Sequence, residues 1–454
     1  MDLQGILAFI GGLSALVLVH ELGHFSVAKA VGVRVENFSI FMGQPLLAVR
    51  RAKAESDPQR RWAFRVLKWH IGLPEETFQH GETEYAFRWI PFGGYVKMAG
   101  QSDVGEADVA GEPWEFTSKP LWARAAVVAA GPLMNVVLAI ALFAGLNATY
   151  GVVGRIGIGP SPSMSAKTVE PNSIADSLGI VAGTVPVSID GIPFTTWEAL
   201  EPVAEREGPL PATFVLPSGD TLRVTLDSGF ASLYSMGVTW EPHAEVGTLI
   251  PLEPAAEAEL REGDRIVSVN ANAVTNWSEM SLIIRQNPGR ELELIVERDG
   301  RRIPIYVTPS VEIATFGVED GVRLGVFAAI GTAFSQTWDV SKKILRFIQQ
   351  LITRAISPKY LAGPVGIFQM TGIAAEQGWA TYLAFLALLS ANLAVVNLLP
   401  LAVLDGGHLV FFAYEGITGK QPSQKQQGIM QQIGVVILLS LLVMVTIIDL
   451  GRLF

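Results

Sequence analysis

The chain has no cysteine among its 454 residues, so it carries neither a disulfide nor a thiolate metal ligand. Any bound transition metal must be held by imidazole and carboxylate groups. Basic residues are also in short supply: 33 Lys and Arg stand against 43 Asp and Glu. The resulting net charge of −10 disfavours a nucleic-acid partner. Only 17% of residues are charged while 50% are hydrophobic. With a positive mean hydropathy, that balance belongs to a membrane protein with substantial soluble parts. The N-terminus lacks the basic n-region and the A-x-A-like site of a cleavable leader, so its first apolar run is expected to stay in the protein.

That run, Ile6 to Val27, contains His20, Glu21 and His24. Imidazoles at i and i+4 share one face of a helix. This spacing lets two of them hold one Zn²⁺ while the intervening carboxylate works on a bound water. H-E-x-x-H also arises by chance on soluble helices, where it is ordinary polar surface. Here three ionisable groups fall within five positions of an otherwise apolar helix, and such groups inside a membrane are costly and mark function. The reading is a zinc peptidase centre in a membrane, with His20 and His24 as ligands and Glu21 as general base.

Four apolar segments approach the roughly 20 residues that a bilayer crossing needs: Leu3 to Ala28, Ala123 to Leu146, Tyr382 to Leu399 and Ile433 to Ile448. The expected organisation is helix 1 over 1–30, a loop with a β-hairpin over 31–122 and helix 2 over 123–148. Two soluble domains follow over 150–240 and 241–312, then an amphipathic connection over 313–378. Helix 3 takes 379–400, a loop 401–430 and helix 4 431–450. Lys and Arg from Arg34 to Arg124 place the first loop in the cytoplasm by the positive-inside rule. The HExxH end of helix 1 then lies near the cytoplasmic face, and residues 150–378 lie outside.

Glu84 to Met98 (EYAFRWIPFGGYVKM) is aromatic and β-branched around Pro91, Gly93 and Gly94. It reads as a soluble hairpin or as a sheet edge that takes up an extended substrate by strand addition. The flanking polar stretches, Arg50 to Gln79 and Gln101 to Glu115, read as surface, with Trp62, Phe64, Leu67 and Trp69 near the headgroup layer. Pro171 to Pro193 and Pro254 to Val274 repeat one pattern: Pro, small residues, a Gly turn, then a β-rich run. Each unit resembles a PDZ domain, covering Ala166 to Thr225 and Ala244 to Thr308, that either binds peptides or serves as a spacer or size filter. Val340 to Ile356 has apolar residues at helical spacing with Lys342, Lys343, Arg346 and Arg354 between them. It fits a membrane-surface helix or a soluble helix packed on its neighbours. Pro358 ends it, and Leu361 to Met370 reads as a Gly- and Pro-containing connection.

Two histidines leave a zinc site one protein ligand short. Asp405, in NLLPLAVLDGGH (Asn397 to His408), is the candidate, with Gly406 and Gly407 permitting the tight backbone that turns it inward. The competing reading makes Asp405 the N-cap of a helix over Gly407 to Tyr414. His408 is a competing ligand candidate, with a structural or supporting role favoured for it.

HELGH, GGYVKM, A-G-P-x-x-N (Ala130, Gly131, Pro132, Asn135) and N-L-L-P-x-x-x-L-D-G-G-H together resemble the bacterial site-2 protease family, in particular its regulator-of-sigma-E branch. The resemblance covers nearly the whole chain. It implies a polytopic α-helical membrane protein with four transmembrane helices, a membrane-associated β-loop and two inserted PDZ-like α+β domains. It implies a Zn²⁺ metalloprotease of the bacterial inner membrane that cleaves transmembrane segments of single-pass proteins, such as anti-sigma factors and signal-peptide remnants, in stress-responsive regulated intramembrane proteolysis. Substrate contacts are implied for Asn397 and for Gly93, Gly94 and Tyr95 of the β-loop. The family usually has Pro-x-Pro before Leu-Asp-Gly, and this chain has Ala402 at the second position. Two other classes are weighed against this one: a non-catalytic scaffold working through the PDZ-like pair, against which the intact Glu21 argues, and an ion transporter, against which the absence of an inverted repeat argues.

Overall fold

The structure is a computed structural model with two compact units, Met1–Thr149 with Gly325–Phe454, and Tyr150–Leu324. It describes residues 3–51, 62–67, 69–71, 83–101, 111–194, 202–203, 206, 208–227, 233, 235–314, 321–358 and 361–452. Most of the two polar stretches read as surface, 52–61, 72–79 and 102–110, lies outside the described residues, as do the side chains of Trp62 and Trp69. Phe64 and Leu67 are exposed.

In the first unit, α1 (Leu3–Ala30) leads into a four-stranded sheet of β1 (Val35–Arg51), β2 (Trp62–Val66), β3 (Trp69–Ile71) and β4 (Glu84–Met98), ordered β3-β2-β1-β4. Glu84 to Met98 is thus one long strand at a sheet edge. It pairs antiparallel with β1 from Val35↔Met98 to Ile40↔Gly94, and again from Pro45↔Arg88 to Arg50↔Glu84. Between these stretches Phe41, Gly43 and Gly93 adopt positive φ, and the ribbon folds back so that Asn37 to Ile40 also register with Glu84 to Phe87. Glycine tolerates that φ without strain. After the sheet, α2 (Leu121–Thr149) crosses α1.

The second unit holds two β-modules. One packs β7 (Met164–Val169), β8 (Val185–Ile189), β9 (Ile192–Pro193), β10 (Leu210–Val215), β11 (Thr221–Leu226) and β12 (Val238–Pro242) about Ile189, Phe214, Leu226 and Met236. The other packs β13 (Val246–Leu249), β14 (Arg265–Val269), β15 (Asn272–Ala273), α3 (Trp277–Arg285), β16 (Leu292–Arg298) and β17 (Arg301–Val307) about Ile266, Met280 and Leu294. Asp299 and Gly300, both at positive φ, make the β16–β17 turn that Asp-Gly favours.

The modules are nested rather than consecutive. The segment preceding the first module supplies β5 (Val152–Arg155), which pairs with β18 (Ser310–Ile313), and β6 (Ile158–Pro160), which pairs with β13. Ile156 is buried in the second core. Boundaries of 150–240 and 241–312 therefore split the second module. A three-residue strand beside Gly157 has no periodicity to read.

Returning to the first unit, α4 (Val326–Ile352) begins well before the expected Val340, because the apolar spacing already runs through Phe327 to Trp338. The expected connection Leu361 to Met370 is largely helical: Pro364 opens α5 (Pro364–Glu376) at its first turn, where a missing N–H costs nothing. Two further spans, α6 (Trp379–Asn397) and α8 (Gln424–Gly451), flank α7 (Asp405–Thr418). Ser423 and Gln426 form a capping box that starts α8 ahead of its apolar run. Asp449 near its end, 3% exposed, accepts from the backbone N–H groups of Gly363 (3.1 Å) and Gly366 (2.9 Å), capping α5 from another helix. Among the described residues, four helices, α1, α2, α6 and α8, are long and apolar enough to cross a membrane.

Ile156→Ala should destabilise the second module by about 2–5 kcal/mol, the usual cost of truncating a buried aliphatic side chain. Hydrogen exchange should then quicken at Ile266 and Leu294 while Ala212 and Phe214 keep their protection. Equal loss in both modules would contradict the nested arrangement.

Candidate metal centre

Sequence spacing puts His20 and His24 on one face of α1, and the fold brings Asp405 to them. Among the described residues, these three form the one group of His and acidic side chains with ligand atoms within 4.8 Å of one another. The His20 and His24 Nε2 atoms are 3.1 Å apart. Asp405 Oδ2 lies 3.2 Å from His20 Nε2, and Oδ1 lies 3.6 Å from His24 Nε2. Both histidines are buried. Ligand atoms about 2.0–2.2 Å from a tetrahedral zinc stand roughly 3.3–3.5 Å apart, so these spacings fit one ion with a fourth position left for water.

The partners of the outer ring nitrogens test that fit. His24 Nδ1 donates to the Val127 carbonyl at 2.8 Å, leaving Nε2 as a lone pair aimed at the cluster. The amide of Asn135 sits 3.2 Å from His20 Nδ1, while its Oδ1 as placed is buried without a partner. Amide oxygen and nitrogen are interchangeable in shape. Turning the group so that Oδ1 accepts from His20 Nδ1–H removes the orphan and frees His20 Nε2 for a metal. Ser390 of α6 donates to the Asn135 carbonyl at 2.8 Å and holds α2 at that place.

Close helix contact makes this possible. A Cβ at Gly23 would fall 2.8 Å from the Ala130 carbonyl carbon. One at Gly131 would overlap His24 Nε2 and come within 2.8 Å of His20 Cε1. Gly131, Asn135 and the Val127 carbonyl have site roles that no local pattern announces, although the first two fall in the A-G-P-x-x-N run.

Asp405 is the first residue of α7 rather than its cap; Leu404 is the N-cap, without a side-chain hydrogen bond. Gly406 lies against the Leu398 and Leu399 carbonyls and Gly407 against Leu401 and Ala402, closer than any side chain permits. This packing turns the chain from α6 into α7. His408 rests on Phe411, 6.2 Å between ring centres, and is not a member of the three-residue group.

Glu21 lies beside both histidines and Asp405, and its carboxylate meets the backbone of Val96 on β4. The edge strand follows α1: a Cβ on Gly93 would be 4.0 Å from Val17, one turn before His20. Gly94 approaches the Ser39 carbonyl closely, and Arg88 sits 5.1 Å over the Tyr95 ring. Asn397 closes α6, and among the described residues nothing pairs with its side chain. It is not a member of the metal group.

Peptidase family M50 matches residues 8–60 and 58–441. The chain is 34% identical over 485 residues to the regulator of sigma E protease of Salmonella typhi, with 99% of each chain covered. It is 33% identical over 492 residues to regulator of sigma-E protease RseP of Escherichia coli K12, again with 99% of both covered. A putative zinc metalloprotease of Neisseria meningitidis serogroup A is 31% identical over 486 residues, with 99% coverage of each.

Gly131→Ala should displace His24, so zinc measured by atomic emission should fall well below one per chain. Asn135→Ala should keep zinc but weaken it about 10–100-fold, the usual effect of losing a group that orients a ligating histidine. Wild-type affinity in both variants would disprove the assigned geometry.

Proposed function

This chain belongs to peptidase family M50 and is a zinc metalloprotease of the site-2 type; from that premise we propose that it cleaves transmembrane segments of single-pass membrane proteins at the His20–His24–Asp405 centre. The observation that carries the proposal is Glu21, held beside three convergent ligand atoms and against the edge strand β4. A structural zinc site has no use for that base.

His20, His24 and Asp405 would hold the ion. Zinc, when bound, lowers the pKa of its water and polarises a carbonyl. Glu21 takes the proton from the attacking water and delivers it to the leaving amine nitrogen. A helical substrate hides its carbonyls in its own hydrogen bonds, so a stretch must unwind before cleavage, and the freed groups need partners in a dry site. The edge strand β4 through Gly93, Gly94 and Tyr95 runs along α1 and offers backbone partners there, and the amide of Asn397 at the end of α6 offers a side-chain one.

The relatives' names support an anti-sigma factor as the substrate type. We place the protein in the bacterial inner membrane, with the metal centre near the cytoplasmic side and the two modules outside. Each module has a short helix followed by a tight turn, with buried Thr184 in one and Asp264 in the other, and then a core strand; we read both as PDZ-like, able to take extended peptides.

Purified protein in detergent should cut a tagged single-pass substrate within its membrane segment. Glu21→Gln should lower the rate at least about 100-fold with zinc retained, and a chelator should abolish cleavage. Equal cleavage in all three samples would point to a contaminant and sink the proposal. Asn397→Leu should slow cleavage with normal zinc content; loss of zinc would show that Asn397 is structural.

A further inference from the structure

α7 carries Asp405 on its first turn and is fully buried only at Gly406, Gly407 and Phe411, with Leu409 and Phe412 partly buried against the core beside α2. The glycine contacts fix its start. Its far end is held by a half-buried ion pair. Arg124 on α2 donates Nη1 to Glu415 Oε2 at 3.0 Å and Nη2 to Glu415 Oε1 at 2.6 Å. Its Nε donates to the Lys119 carbonyl at 3.0 Å, and the guanidinium lies 5.2 Å from the centre of the Phe412 ring. The Arg124 side chain is 8% exposed and that of Glu415 is 18%. The hydrogen bonds from Arg124 are the largest influence on the Glu415 carboxyl and keep it below the usual carboxylate range.

A two-pronged pair of this kind fixes orientation as well as distance, which a point charge does not. Glu415 follows Asp405 by ten residues, about 15 Å along the helix. Arg124 precedes Gly131 and Asn135 by seven and eleven residues, about 10 and 16 Å along α2. The two helices therefore run antiparallel, with the histidine cluster that α2 supports at one end of their shared run and the ion pair at the other. Between these ends Leu409 and Phe412 pack on the core that includes Val127 and Val128. With both ends fixed, α7 can neither slide nor swing on α2.

We propose that Arg124 and Glu415 are positioning residues for the metal ligand Asp405, holding α7 at the register on α2 where its first carboxylate reaches His20 and His24. The inference rests on the reading of Asp405 as a ligand. Removing either member leaves the ligands in place chemically and moves one of them, so the effect appears in zinc affinity and kcat rather than in substrate KM.

The test uses the full chain in detergent, with zinc affinity measured by competition against a chelator and kcat and KM measured on the cleaved substrate. Glu415→Gln and Arg124→Lys should each weaken zinc binding about 10-fold or more and lower kcat, with KM within about twofold of wild type. The exchange Arg124→Glu with Glu415→Arg should recover affinity relative to either single variant. If Glu415→Gln fails to fold, Arg124→Lys, which keeps the charge and loses the fork, carries the test. Wild-type zinc affinity and kcat in the single variants, with only a lower melting temperature, would overturn the proposal in favour of simple tertiary packing. Asp405→Asn is run in parallel: wild-type zinc affinity there would overturn the ligand assignment underneath it.

Discussion

Two imidazole lone pairs and a carboxylate, drawn together and shielded from water, have no donor of their own to satisfy them. Such a group calls for a shared positive charge, a metal ion or a proton, because buried polar atoms without partners are costly and like dipoles pointed at one another add to that cost. Much of the first unit follows from meeting this requirement. The second spanning helix supplies the Val127 carbonyl and the Asn135 amide to fix the two rings, and the bare Cα of Gly131 to leave them room. The glycine in HELGH lets that helix come close enough to do so. An M50 peptidase thus builds its centre from three helices that are far apart in sequence, and the cost of the polar cluster is offset by contacts concentrated on one of them.

The parts legible in the sequence were those with strong periodicity or strong chemistry. His20, Glu21 and His24 stand out because charge is rare in apolar helices, and Asp405 stands out because it is the lone acid in NLLPLAVLDGGH. The four spans were found by length alone, with ends misplaced by a few residues, or by nine at Gln424, where polar helix formers and a capping box extend the helix past its apolar run. The Asp299-Gly300 turn was legible because its chemistry is local.

The rest depended on long-range pairing. Asn135 looks like one polar residue in an apolar helix until His20 is seen beside it. The strand Ile158–Pro160 is too short to show alternation, and its partner lies beyond an entire module. The fold-back of Glu84 to Met98 across β1 depends on positive φ at Phe41, which no propensity for phenylalanine suggests. Gly131 carried its signal in a motif, and only the packed histidine explains why a methyl group is forbidden there.

The cap that Asp449 places on α5 has a consequence for how the helices cooperate. The N–H groups of Gly363 and Gly366 open a helix that leads straight into α6, yet their acceptor sits in α8, more than eighty residues further along the chain. The first turn of α5 cannot complete its own hydrogen bonding from local sequence. The start of α5 and the end of α8 therefore form and open together, and any change that loosens α8 is felt first at the N-terminus of α5.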